Sequence, residues 1–161
     1  MIPGVVTHSD RGCIWQLSDW LFKGNQTAIN NHLYEEYGIS SIVRLNDNED
    51  ETIFPRPPAT HLFCPFDDPG HTLTMGHLNR VRDYVISVRS KVLVHCFGGR
   101  NRSTLICAWL LHVVDGMPKE ALVPYLTFPN CNAGIHPKLS ARMMELTGID
   151  LSGLEDGRVT I

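Results

Sequence analysis

The chain has 161 residues, 43% of them hydrophobic and 19% charged, and a formal net charge of −3. That suffices for one soluble globular domain and is short for two, and it gives no general reason to expect nucleic acid or a membrane surface as a partner. No apolar run reaches the roughly 18 residues of a membrane span, no basic segment leads into an apolar one at the start, and the five widely spaced cysteines fit free thiols better than a disulfide framework, so a cytoplasmic or nuclear monomer is expected.

In chain order, Ile14 to Phe22 alternates and carries aromatics, as a strand does. Thr27 to Tyr37 has a modest helical pattern ended by Gly38, and Ile39 to Leu45 reads as a second, buried strand. Asn46 to Ala59 is acidic first (Asp47, Glu49, Asp50, Glu51) and proline-rich later (Pro55, Pro57, Pro58), a surface loop rather than a domain boundary. Thr60 to Cys64 is a third strand. Met75, Leu78, Val81, Val85 and Val88 recur at spacings of three and four, on one face of a helix from Thr74 to Arg89. Val92 to Val94 is a fourth strand. Thr104 to Val114 is apolar nearly all round, so it should be a central buried helix closing at Asp115 and Gly116. Pro118 can start another helix that Pro124 should kink or end, and a last helix is expected over Pro137 to Leu146. Strands alternating with helices predict an α/β fold over residues 1–161: a central, mostly parallel sheet of four to five strands flanked by helices.

Between the fourth strand and the buried helix lies His95-Cys96-Phe97-Gly98-Gly99-Arg100-Asn101-Arg102-Ser103. A tight loop at a helix N-terminus turns several unsatisfied N–H groups toward one point, and the helix dipole adds positive potential there. Such a point fits a phosphate-sized dianion. A cysteine at its base, with an arginine returning to it, is stabilised as thiolate and becomes a candidate nucleophile, whereas Cys107 inside the helix reads as structural. Arg102 can hold two phosphate oxygens in a bidentate fork. Gly98 and Gly99 let the backbone turn inward and come close to an anion. Ser103 either caps the helix or donates to the Cys96 sulfur, and His95 is expected to order the loop by hydrogen bonding rather than to act as a base. No C-x-x-C, no H-x-x-x-H and no GxxxxGK[ST] motif occurs, so neither metal nor nucleotide cofactor is expected.

His-Cys-x5-Arg-Ser between an apolar strand and an apolar helix resembles the cysteine-dependent protein tyrosine phosphatase superfamily, and the size and late position of the motif resemble its dual-specificity branch. Leu21-Phe22-Lys23-Gly24-Asn25 followed by Gly38 to Leu45 is similar to that branch's opening, so the resemblance covers about 15–147 and leaves short extensions at both ends. It implies a phosphatase loop between the buried strand and helix, with Cys96 as nucleophile. The backbone of Phe97, Gly98, Gly99, Arg100, Asn101 and Arg102 would hold the phosphate. It also implies a proton-donating aspartate on a loop upstream. Cys64-Pro65-Phe66-Asp67-Asp68-Pro69-Gly70-His71 occupies that place, where proline, two residues and aspartate select Asp68, with Asp67 as runner-up and His71 as a surface residue. The bland alternative is a turn, since Asp-Pro-Gly is good turn chemistry anywhere.

The expected function is phosphomonoester hydrolysis through a phosphocysteine intermediate, on phosphotyrosine and phosphoserine/threonine of a protein partner. Arg100 opens an alternative substrate class, a phosphoinositide, inositol phosphate or RNA 5′-phosphate, unless it points to solvent and pairs with an acidic neighbour. A phosphate-binding module without turnover is the reading from another class. A reversible disulfide between Cys64 and Cys96 is a further possibility that only proximity would support. Asn46–Ala59, the acid loop and Thr127–His136 carry no readable substrate code.

Overall fold

The computed structural model describes residues 3–47, 59–127 and 132–156. Its centre is one sheet of six strands, β1 (Gly4–Ser9), β2 (Gly12–Gln16), β3 (Leu21–Gly24), β4 (Ser41–Arg44), β5 (Thr60–Phe63) and β6 (Val92–His95), in the order β1-β2-β3-β6-β4-β5. The pairings β3–β6, β6–β4 and β4–β5 are parallel, while β1–β2 and β2–β3 are antiparallel. This is the expected mostly parallel α/β sheet with one more strand, β1, at its edge.

The stretch Ile14 to Phe22 is two strands and not one. Leu17 N and Ser18 N both donate to Leu21 O (2.9 and 3.2 Å), and Ser18 Oγ accepts from Trp20 N and Leu21 N, which folds 17–20 into a turn. The helix expected over Thr27 to Tyr37 also divides, into α1 (Gln26–Asn30) and a 3-10 turn, Leu33–Tyr37, because His32 stands in the left-handed region (φ 52°). Helix α2 (Met75–Val88) runs between Thr74 and Arg89 as read. Helix α3 spans Arg102–Val113, starting two residues before Thr104. Pro124 lies inside the first turn of α4 (Leu122–Thr127), where a missing N–H costs little, so the helix begins around it instead of ending there. Helix α5 covers Pro137–Thr147, capped by His136.

The period of two sorts the central strands onto two cores. Val43, Val92 and Val94 pack with α2, α3, α4 and α5, while Ile42 and Leu93 face α1 and the 3-10 turn. Helix α3 is buried from Ser103 to Leu111, and Trp109 Nε1 donates to Leu78 O (2.9 Å), tying it to α2. Beyond α5 the chain returns along Ile135: Ile135 N donates to Leu154 O (2.9 Å) and Asp156 N to Ile135 O (3.0 Å). Among the described residues no helix is long and apolar enough to cross a membrane, and no group of three metal-ligating side chains occurs. Residues 48–58 and 128–131, within two of the loops read as substrate-facing, lie outside the described residues.

Candidate active site

Strand β6 is held on both sides: Gly24 of β3 and Arg44 of β4 stand opposite His95 in the register. The loop Cys96–Asn101 therefore leaves the sheet at the C-terminal ends of its parallel strands, where open α/β sheets present their loops. It enters α3 directly at Arg102. Cys96 is 2% exposed, at the floor of a cleft of about 290 Å³, with its Sγ 3.3 Å from Ser103 Oγ in hydrogen-bond geometry. Since Asn101 holds the N-cap position, Ser103 is inside the first turn; the capping alternative for Ser103 falls away, and its hydroxyl faces the sulfur. Phe97 forms the lip of the cleft, 65% exposed, and its carbonyl accepts from Gln26 N (3.0 Å).

The two loop glycines have different reasons to be glycine. Gly99 has φ +76°, and a Cβ there would come within 2.9 Å of the Trp15 ring and 3.1 Å of Gly24 O. Packing of the loop onto the β2–β3 hairpin is enough to require it. Nothing lies within 4 Å of where a Cβ on Gly98 would stand. For Gly99, then, packing and not approach to an anion is sufficient reason, whereas the space beside Gly98 leaves room for an anion.

Arg102 is a wall of the cleft, its side chain 11% exposed. Nη1 donates to Phe66 O (3.1 Å), and Nε lies 3.2 Å from Asp68 Oδ1 but out of line, so that this buried N–H lacks an aligned acceptor. A buried guanidinium N–H left in this state beside an anion-sized cleft is a ready donor. Lys23, buried under the first turn of α3, donates through Nζ to Thr104 Oγ1 (2.9 Å) and lies 5.2 Å from the Trp15 ring centre, adding positive charge behind the loop.

Asp68 and Asp67 have separate surroundings. Asp68 lines the cleft with its side chain 62% exposed. Asp67 turns away into its own loop: it accepts from His71 N (3.0 Å), Thr72 N (2.6 Å) and Thr72 Oγ1 (2.7 Å). Partial burial of the Asp67 carboxyl opposes ionisation, but the hydrogen bonds from Thr72 and His71 and the nearby His71 ring outweigh it, and the pKa falls to about 2. His71 is at the surface, 3.9 Å from Asp67 Oδ2. His77, which closes the capping box of α2 with Thr74, also reaches Pro65 O (3.1 Å), so the loop carrying Asp67 and Asp68 is tied to the helix that follows it.

Asn101 joins three loops. Its Nδ2 donates to Asp68 O and to Asp68 Oδ1, both at 2.7 Å, and its Oδ1 accepts from His136 N (2.8 Å). Arg100 does not point away into solvent. Its guanidinium lines the cleft, where Nη1 pairs with Asp156 Oδ2 (3.1 Å), and a Cβ on Gly134 would come within 2.5 Å of Nη2. Asp156, Gly134, His136 and the side chain of Asn101 are the residues that sequence reasoning missed. Only the pairing expected of Arg100 with some acidic neighbour, and the segment Thr127–His136 read as facing substrate, left a trace.

His95 is wholly buried. Loss of hydration first, and then the positive charges of Arg44, His61 and Arg102, lower its pKa to about 3 against a weaker opposing effect of the Cys96 backbone. The ring is therefore neutral. Both ring nitrogens are shut off from solvent, and the one polar group of the loop that acts on the ring is the Cys96 backbone. Burial pushes the Cys64 thiol up, against the pull of Arg80, and its Sγ faces His77 O (3.9 Å); Cys64 and Cys96 are both free thiols.

No family model and no curated protein matches this sequence. Solved structures do match in fold. A mouse putative dual specificity phosphatase complexed with zinc tungstate is 23% identical, with a TM-score of 0.70 over 86% of this chain and 87% of that one. Human DUSP28 is 19% identical, with a TM-score of 0.70 over 86% and 93% of the two chains. TpbA of P. aeruginosa is 18% identical, with a TM-score of 0.66 over 98% and 97%, and is also known in complex with pTyr. At these identities the likeness is one of fold.

Proposed function

We propose that this chain, which has the dual-specificity phosphatase fold, is a phosphomonoester hydrolase working through a phosphocysteine intermediate on a phosphorylated protein. One observation carries the reading. A single cleft has the Cys96 sulfur at its floor, the Arg102 guanidinium in its wall and the Asp68 carboxylate at its mouth.

In this mechanism Cys96 Sγ attacks phosphorus in line with the leaving oxygen. Arg102 and the N–H groups of residues 97–102 hold the three equatorial oxygens, where charge spreads in a loose transition state. As the P–O bond breaks, Asp68 gives its proton to the leaving alkoxide or phenoxide. The carboxylate then takes a proton from the water that attacks the phosphocysteine. The S–P bond breaks, and the departing thiolate accepts a hydrogen bond from Ser103 Oγ. Asp67, ionised down to about pH 2 and spent on its own turn, is the poorer proton donor of the two neighbours.

The open cleft, with the exposed Phe97 at its rim, favours phosphotyrosine and phosphoserine/threonine side chains as substrates. The neutralisation of Arg100 by Asp156 supports a substrate with a single phosphate. The presence of Arg100 in the cleft wall is the observation that favours the second reading, the same chemistry on a phosphoinositide, inositol phosphate or RNA 5′-phosphate. A panel of phosphopeptides, phosphoinositides and RNA 5′-triphosphate compared by kcat/KM separates the two. Cys96→Ser is expected to lose more than about a thousandfold in kcat while still binding substrate, and acid quenching of the wild type should trap phosphate on Cys96. Absence of phosphate release from every substrate, or a fully active Cys96→Ser protein, refutes the hydrolase.

A further inference from the structure

We propose that Asn101 is a positioning residue that fixes the Asp68 carboxylate over Cys96, an inference resting on the reading above in which Asp68 carries the proton. Asparagine is among the best helix N-caps, and Asn101 occupies the N-cap position of α3, yet its side chain makes no capping hydrogen bond there. The amide is diverted sideways. Its Oδ1 accepts from His136 N at 2.8 Å, and its Nδ2 donates to both Asp68 O and Asp68 Oδ1 at 2.7 Å. The orientation of this amide is determined: a main-chain N–H can only donate, so Oδ1 must face His136, and Nδ2 is left facing Asp68.

Without that donor little else aligns the carboxylate. Asp68 sits on a loop with its side chain 62% exposed, and the nearby Arg102 Nε at 3.2 Å is out of line. Gripping the Asp68 main-chain carbonyl and one carboxylate oxygen together sets both the loop and the χ angles of the side chain. A neutral amide holds Oδ1 and leaves Oδ2 to carry the proton, whereas a second cation there would oppose protonation. His136, as the N-cap of α5, anchors the other end of the clip to a long helix. Asn101 thereby passes the rigidity of α5 to a loop that must keep a proton donor within reach of the leaving oxygen. Precise placement of that kind is where rate is lost when it loosens.

The test is a leaving-group comparison with Asp68→Asn as the reference. Phenyl phosphate needs a proton donor; p-nitrophenyl phosphate, whose leaving group is stable as an anion, scarcely does. Asp68→Asn should lower kcat/KM, which reports the steps up to departure of the leaving group and not the later attack of water, about a hundredfold on phenyl phosphate and no more than about twofold on p-nitrophenyl phosphate. Asn101→Ala should show the same selectivity at about tenfold, and should add nothing on top of Asp68→Asn. Asn101→Asp can still accept from His136 N but cannot donate to Asp68. It should reproduce the selective loss with a melting temperature closer to the wild type than that of Asn101→Ala. Equal losses on both substrates in the two Asn101 variants, beside a selective Asp68→Asn, overturn the positioning role alone. A non-selective Asp68→Asn overturns the role of Asp68 and this one with it.

Discussion

Asp67 accepts three hydrogen bonds from the residues that close its turn, and its pKa is lowered from 3.8 to about 2. A carboxyl depressed in the folded state stabilises it above the unfolded value and loses that contribution as the pH falls from about 4 through 2. Asp67→Asn should therefore destabilise the protein by about 1 kcal/mol at neutral pH, with the difference closing below about pH 4 in thermal melts followed by circular dichroism. Its leaving-group profile should stay that of the wild type, in contrast to Asp68→Asn. The loop glycines give a second contrast at this scale. Gly99→Ala meets both a positive φ and the Trp15 ring, and should cost about 2 kcal/mol and weaken phosphate binding. Gly98→Ala enters open space and should change stability by less than about 0.5 kcal/mol. Chemical denaturation of the two variants side by side decides it.

At the scale of elements, the sequence made the Cys96–Arg102 loop, α2 and α5 legible because each is announced by residues close together: the Cys-x5-Arg spacing, the three-four apolar spacing, and a proline at the helix start. The misread elements were decided by one residue in an unannounced conformation. Ser18 turns a strand into a hairpin through its hydroxyl, and His32 breaks a helix by a positive φ, which is uncommon outside glycine and carries no signal in the sequence. The unforeseen cleft residues came from contacts between distant segments, which spacing cannot encode. Asp156 belongs to the short segment that returns along Ile135, and so reaches Arg100 from 56 residues away. Replacing it by asparagine should release Arg100 to accept a second anion. We expect Asp156→Asn to raise kcat/KM for a vicinal bisphosphate relative to a monophosphate by about tenfold, and Arg100→Gln in the same protein to abolish the gain. An unchanged ratio would show that the ion pair has no bearing on substrate choice.

For the whole molecule, His95 links the centre of the sheet to solution pH. Its pKa in the fold, about 3, is below the ordinary 6.5, so the unfolded chain takes up a proton that the folded one refuses. Stability contributed in this way is complete above about pH 6.5 and declines as pH drops, by about 1.4 kcal/mol per unit for one proton. Urea unfolding at a series of pH values should show that slope in the wild type and a flatter one in His95→Asn. An equal slope in both proteins would remove His95 from the account. The strand order has a further consequence, in time rather than in space. Strand β6 is one of the two central strands, yet it enters the chain after both of its neighbours, β3 and β4. During synthesis those two strands must wait, unpaired along their facing edges, until the second half of the chain emerges. Sheets closed by such distant partners fold slowly and expose sticky edges meanwhile. Cys96, the nucleophile of the proposed reaction, sits one residue past the strand that ends this wait, so an assay of that activity during refolding is expected to report the completion of the sheet itself.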